Sequence, residues 1–122
     1  MGSIEKKFAE LQRKREAALI PFVTAGDPNL ATTLKILHAL EKGGADCIEL
    51  GIPFSDPTAD GPTIQRSSER ALRNGLSLPR IFQLVRDFRR TSEVPIVLFG
   101  YFNPIFHYGL ENFCRAAARA GA

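Results

Sequence analysis

Residues 49–60 hold three carboxylates, Glu49, Asp56 and Asp60, where a compact apolar run gives way to a loop rich in Pro, Asp and Gly. Two carboxylates in different surroundings make an acid/base pair: one half-withdrawn from water titrates high and exchanges protons near neutral pH, while an ionised one stabilises charge. Side chains alternate faces along a strand, so in Cys47-Ile48-Glu49-Leu50 the apolar Ile48 and Leu50 share one face and Cys47 and Glu49 the other. If Ile48 and Leu50 pack on helices, Glu49 points inward at the carboxyl end of its strand, where barrel enzymes keep catalytic groups. A second reading stays open, in which Glu49 pairs with a basic side chain and serves packing alone. Asp60 likewise either reaches the same cavity or caps the helix that opens at Pro62.

The elements that would hold these acids alternate between strand and helix. Ile4, Phe8 and Leu11 recur at helical spacing behind Ser3, a candidate N-cap, which predicts a short opening helix. Ala18 to Val23 reads as a strand ending at Ala25-Gly26-Asp27-Pro28, where Asp27 can cap a helix and Pro28 can occupy its first turn. Leu30, Leu34, Leu37 and Leu40 form that helix's apolar face, and Gly43-Gly44 closes it. Asp46 to Gly51 is the second strand, Pro53 to Gly61 a loop, and Pro62 opens a helix that Asn74-Gly75 ends. Ser77 caps a segment whose Ile81, Leu84, Val85 and Phe88 share a helical face. Pro95 to Phe99 is a third strand, Tyr101 to Tyr108 reads as an aromatic loop, and Leu110, Phe113 and Ala117 mark a helix ending at Gly121.

Strand–helix alternation implies parallel strands joined by right-handed crossovers, so the fold class is α/β: a partial TIM (β/α) barrel made of an N-terminal helix and the first three β/α units. A closed barrel needs eight. The chain stops at Ala120-Gly121-Ala122, where the precedent of Gly44-Ala45-Asp46 leads into another strand. Residues 1–122 therefore read as one domain, the amino-terminal half of a (β/α)8 barrel.

Composition narrows the partners. A net charge of +3 and a pI near 9.1 arise from scattered Arg and Lys without a basic stripe, which argues against nucleic acid. No run approaches the roughly 20 apolar residues that span a bilayer, and Ser3-Ile4-Glu5-Lys6-Lys7 lacks a signal-peptide core. A cytoplasmic location is expected. Cys47 and Cys114 match no metal-ligand spacing and read as free thiols.

The run from Gly44 through Glu49, Pro53-Phe54-Ser55-Asp56-Pro57 and Asp60-Gly61-Pro62 to Gln65 closely resembles the signature of the tryptophan synthase alpha family. Pro21-Phe22-Val23-Thr24-Ala25-Gly26-Asp27-Pro28 and Tyr101-Phe102-Asn103-Pro104-Ile105-Phe106 match it in register, across nearly the whole chain. The resemblance implies a (β/α)8 barrel lyase of tryptophan biosynthesis that cleaves indole-3-glycerol phosphate into indole and glyceraldehyde 3-phosphate. It implies no cofactor in this subunit, and a beta-subunit partner that carries pyridoxal phosphate in an alpha2beta2 complex.

On that resemblance Glu49 is the proton shuttle at indole carbon 3 and the glycerol hydroxyl, and Asp60 holds the indole N–H, where a carboxylate stabilises charge growing on the ring. Phe22, Ile64, Phe99 and Tyr101 would wall the ring, although each also fits a core position. Pro53, Phe54, Asp56, Pro57, Asn103 and Phe106 would meet the beta subunit as exposed groups around the barrel mouth. Two positions depart from the pattern: Thr58 replaces a bulkier aliphatic residue and Phe99 a common leucine. The family's phosphate-binding glycine loops and mobile sixth loop have no counterpart, and Gly26 and Gly61 form no phosphate-cradling fingerprint. These 122 residues alone are therefore expected to be inactive. The competing readings are a non-catalytic half-barrel that self-associates or serves as a scaffold, and another phosphate-handling barrel with similar strand ends.

Overall fold

The computed structural model describes residues 2–122. Helix α1 (Ser3–Lys14) precedes three β/α units: β1 (Phe22–Thr24) with α2 (Leu30–Lys42); β2 (Ile48–Gly51) with α3 (Pro62–Arg73) and α4 (Leu78–Arg89); and β3 (Ile96–Phe99) with α5 (Phe102–Tyr108) and α6 (Leu110–Ala120). The strands form one parallel sheet in the order β1-β2-β3. This is the architecture that the alternation of strands and helices predicts.

Register divides the sheet into two faces. Phe22 lies opposite Glu49 and Glu49 opposite Val97, so these three point the same way, as do Thr24, Gly51 and Phe99 one layer higher. The other face carries Ile48, Leu50 and Ile96, which join Leu37 of α2, Ile81, Val85 and Phe88 of α4 and Ala120 of α6 in one buried cluster. Fully burying each large side chain there contributes about 1.5–3 kcal/mol. This helix-covered layer fixes the strands and hence the direction in which Glu49 points.

Several element boundaries differ from expectation. Ser3 is the first helical residue of α1 and Gly2 is its N-cap, with the Glu5 carboxylate accepting from the Gly2 N–H. Residues 18–21 stay outside β1. Pro21 has no N–H to donate, and only its carbonyl is used, accepting from Glu49. Asp27 does not cap α2. Asn29 does, its side chain accepting from the Thr32 N–H at 2.8 Å. At the far end of α2, Gly43 stays right-handed and Gly44 takes the positive φ. The segment expected as an aromatic loop contains helix α5. Pro104 sits in the first turn, where N–H groups have no intrahelical partner, so the proline costs no hydrogen bond there.

Candidate functional site

The loop after β2 and helix α3 close over the carboxyl ends of the strands. Unlike α2 and α4, α3 offers small residues, Ser67, Ser68 and Ala71, as its buried contacts. They let the helix approach β1 closely, and the Thr24 and Ser67 hydroxyls meet at 2.6 Å. Beneath α3 lies a cavity of about 350 Å³ lined by Phe22, Thr24, Gly51, Ile52, Ala59, Asp60, Ile64, Ser68, Phe99, Gly100 and Tyr101. Its size suits a small aromatic ring, and its walls are mostly apolar with one carboxylate.

Packing explains why the floor is a glycine. The Phe22 ring lies across the end of β2, and a Cβ on Gly51 would come within 2.6 Å of Phe22 Cζ. Any larger residue at position 51 would displace the ring. Phe22 meets Phe99 edge-to-face with centroids 5.8 Å apart, a favoured aromatic geometry, so the two rings form one continuous wall.

Asp60 is held from two sides. Its Oδ2 accepts a hydrogen bond from the Tyr101 hydroxyl at 3.1 Å, and that same hydroxyl accepts from the Ala59 N–H at 2.9 Å. The Asp60 carbonyl accepts from Gln65 Nε2 at 2.8 Å. The helix-cap reading of Asp60 is thereby excluded: Gly61 is the N-cap of α3, with no side-chain cap bond. Asp60 instead presents its carboxylate to the cavity.

Glu49 lies one layer below the cavity lining, half-buried between Phe22 and Val97 in register. It is not itself among the lining residues. Among the described residues no lysine, arginine or histidine forms an ion pair with it. Its neighbour Cys47 is buried, and that burial first, then the charge of Glu49, pushes the thiol pKa up. Cys114 is free and exposed.

The structure thus gathers Asp60, Phe22, Ile64, Phe99 and Tyr101 around one cavity and sets Glu49 beneath it. Thr24, Gly51, Ile52, Ala59, Ser68 and Gly100 complete the lining and were not singled out from the sequence. Strand register would have revealed Thr24 and Gly51, since both pair in the layer of Phe99. Among the mouth residues, Asp56, Asn103 and Phe106 are exposed and Phe54 and Pro57 half-buried. Pro53 corrects an expectation. It is buried, because the chain leaving β2 turns inward there beside Leu78 and Ile81 of α4 and Pro104 of α5. Among the described residues no cluster of His, Cys, Asp and Glu could hold a metal ion, and no helix is long and apolar enough to cross a membrane.

A parallel sheet with helices on its outer face, and a carboxylate-bearing cavity at its strand ends, is the layout of the first units of a TIM barrel. The family model described as tryptophan synthase alpha chain matches residues 8–122. A tryptophan synthase alpha chain from Citrifermentans bemidjiense is 60% identical over 121 residues, covering 99% of this chain and 45% of that protein. The crystal structure of tryptophan synthase subunit alpha from Legionella pneumophila str. Paris superimposes with a TM-score of 0.98 at 46% identity, over 100% of this chain and 47% of that one. The tryptophan synthase complex from Pyrococcus furiosus superimposes with a TM-score of 0.82 at 53% identity, over 86% of this chain and 43% of that one. The chain belongs to the tryptophan synthase alpha chain family, and it spans about half the length of the curated relatives it matches.

Proposed function

We propose that this chain carries the acid/base half of a lyase site that cleaves indole-3-glycerol phosphate to indole and glyceraldehyde 3-phosphate, as an alpha subunit of tryptophan synthase. The observation that carries the reading is the position of Asp60: a carboxylate held by Tyr101 at the edge of an apolar, ring-sized cavity. In the cleavage, indole carbon 3 gains a proton and the glycerol hydroxyl next to the breaking bond loses one. The electron pair of the carbon–carbon bond returns to the ring, and the hydroxyl carbon leaves as an aldehyde.

Glu49 moves those protons from beneath the ring. Asp60 accepts from the indole N–H, whose acidity rises as carbon 3 is protonated, and so stabilises the intermediate more than the substrate. Phe22, Ile64, Phe99 and Tyr101 hold the ring between them. The reading needs no cofactor in this subunit. Pyridoxal phosphate would belong to a beta-subunit partner that meets the mouth at Phe54, Asp56, Pro57, Asn103 and Phe106, with Pro53 shaping that surface from beneath. A cytoplasmic location follows from the same reading.

The cavity is walled by the three strand ends, the segments that follow β2 and β3, and α3, and the family's phosphate-binding loops have no counterpart in these 122 residues, which alone should not turn over. Positioning supplies much of an enzyme's barrier reduction. The test joins this chain to the carboxyl-terminal half of a family member and follows indole release. Cleavage should appear in the joined protein and be absent from the chain alone, and Asp60→Asn should slow it roughly 10²-fold if the carboxylate contributes a few kcal/mol. Unchanged turnover in Asp60→Asn would remove Asp60 from the chemistry.

A further inference from the structure

Helix α3 bears Ile64 and Ser68 on the cavity, and Gly61 at its start adjoins Asp60, yet no strand follows α3 directly to anchor it. Besides the Thr24–Ser67 contact with β1, its far end is tied to the turn after β1. Arg70, on the last turns of α3, grips Asp27 with both prongs of its guanidinium, Nε to Oδ1 at 2.8 Å and Nη2 to Oδ2 at 2.9 Å. The same turn receives the Asn74 side-chain amide on the Pro28 carbonyl. Gly26, at φ +86°, allows Leu76 and Ala71 to close against the turn: a Cβ there would lie 3.0 Å from Leu76 Cδ1. Neither Asp27 nor Arg70 lines the cavity.

We infer that Asp27 and Arg70 are positioning residues, a strap that sets α3, and through it Ile64 and Asp60, over the cavity. The lever is short: Ile64 and Arg70 are six residues apart, roughly 9 Å along a helix at 1.5 Å per residue. A tilt at the strap therefore moves Ile64 and the loop that carries Asp60. A two-pronged Arg–carboxylate pair fixes direction as well as distance, which a lysine point charge does not. The sequence supports the division of labour, because α3's buried side chains are small and polar or Ala and give little apolar area to hold it. The structural half of this inference stands on geometry alone; its consequence for ligand rests on the proposed indole site.

The experiment compares the parent chain with Asp27→Asn, Arg70→Gln, Arg70→Lys and the double variant Asp27→Asn/Arg70→Gln by amide hydrogen exchange, and then by titration with indole, both alone and joined to a family carboxyl-terminal half. The chain contains no tryptophan, so the emission of added indole reports binding directly. Asp27→Asn and Arg70→Gln should speed exchange across α3 several-fold, the scale of a solvent-exposed ion pair, and leave α4 and α6 unchanged. Arg70→Lys should recover only part of the protection. The double variant should exchange no faster than the worse single one, as expected for two residues acting through one contact. Indole affinity should fall several-fold in parallel, while the melting temperature of the α4 core stays put. Unchanged α3 exchange, additive effects in the double variant, or acceleration shared equally by α4 and α6 would each overturn the strap. Failure of indole to bind the chain joined to a family carboxyl-terminal half, with the α3 effect present, would instead refute the proposed ring site and leave the strap standing.

Discussion

The two faces of one short sheet differ in kind. On the helix-covered face Ile48, Leu50 and Ile96 are sealed against Leu37, Ile81, Val85 and Phe88, all at 3% exposure or less. On the opposite face, in the same strands, Phe22, Glu49 and Val97 are only half-buried and Phe99 is 51% exposed. Adjacent residues, Ile48 and Glu49, thus serve opposite ends. One face is filled by close packing. The other keeps rings and a carboxylate partly open at and below the cavity.

Truncating a side chain should cost far more on the sealed face than on the open one. Phe88→Ala removes a fully buried ring from α4 and should cost about 3–5 kcal/mol, enough to unfold a domain of ordinary stability. Phe99→Ala, on the open face, should cost under about 1 kcal/mol, since half its surface already meets water. Urea unfolding of the two variants checks this; comparable losses would mean that the faces do not differ.

The open face and the sheet edges should also favour association. β1 and β3 each leave one edge unpaired, and Phe99, Phe102, Phe106 and Leu110 are all more than half exposed. Unpaired edges and apolar surface favour pairing with another chain. The 122-residue chain should therefore sediment as a dimer or larger at micromolar concentration, and the double variant Phe99→Ser/Phe106→Ser should shift it toward monomer. A folded, cooperatively melting parent monomer would show that the open face needs no cover. It would also remove the reason to see a self-associating scaffold.

Thiol chemistry gives the smallest contrast. Cys114 is exposed and should react with a disulfide reagent at once. Cys47 is buried with its pKa raised, so it should react only when the chain opens. The sign of the pH effect follows. The folded thiol ionises at higher pH than the unfolded one, so its contribution is intact below the ordinary thiol range and declines as pH climbs through it. Unfolding titrations on either side of that range, with Cys47→Ala as control, should show a small alkaline loss that the variant lacks.

The fold was legible in the sequence wherever apolar period and punctuation agree, as in Leu30–Leu40 and Ile81–Phe88. It was less so where a rule has two uses. Pro104 marks a loop by composition but fits the first turn of α5 by geometry. Asp27 has the chemistry of a helix cap, yet the arginine 43 residues later claims it, and only the tertiary fold brings Arg70 there. Glu49 and Asp60 were singled out from strand alternation and loop position; among the described residues the first has no ion pair and the second a tyrosine partner, contacts that depend on the tertiary fold. Burial of Pro53 depends on the path of the chain after β2, which local pattern does not encode.

Ile48 and Glu49, neighbours on opposite faces of β2, should respond to substitution in opposite ways. In the chain joined to a family carboxyl-terminal half, Ile48→Ala should cost about 2–5 kcal/mol of stability and leave cleavage of indole-3-glycerol phosphate near the parent rate at a temperature where the variant remains folded. Glu49→Gln should leave the melting temperature within a few degrees of the parent and remove nearly all cleavage. Retained cleavage in Glu49→Gln, or a loss of stability there equal to that of Ile48→Ala, would contradict the assignment of one face to packing and the other to chemistry.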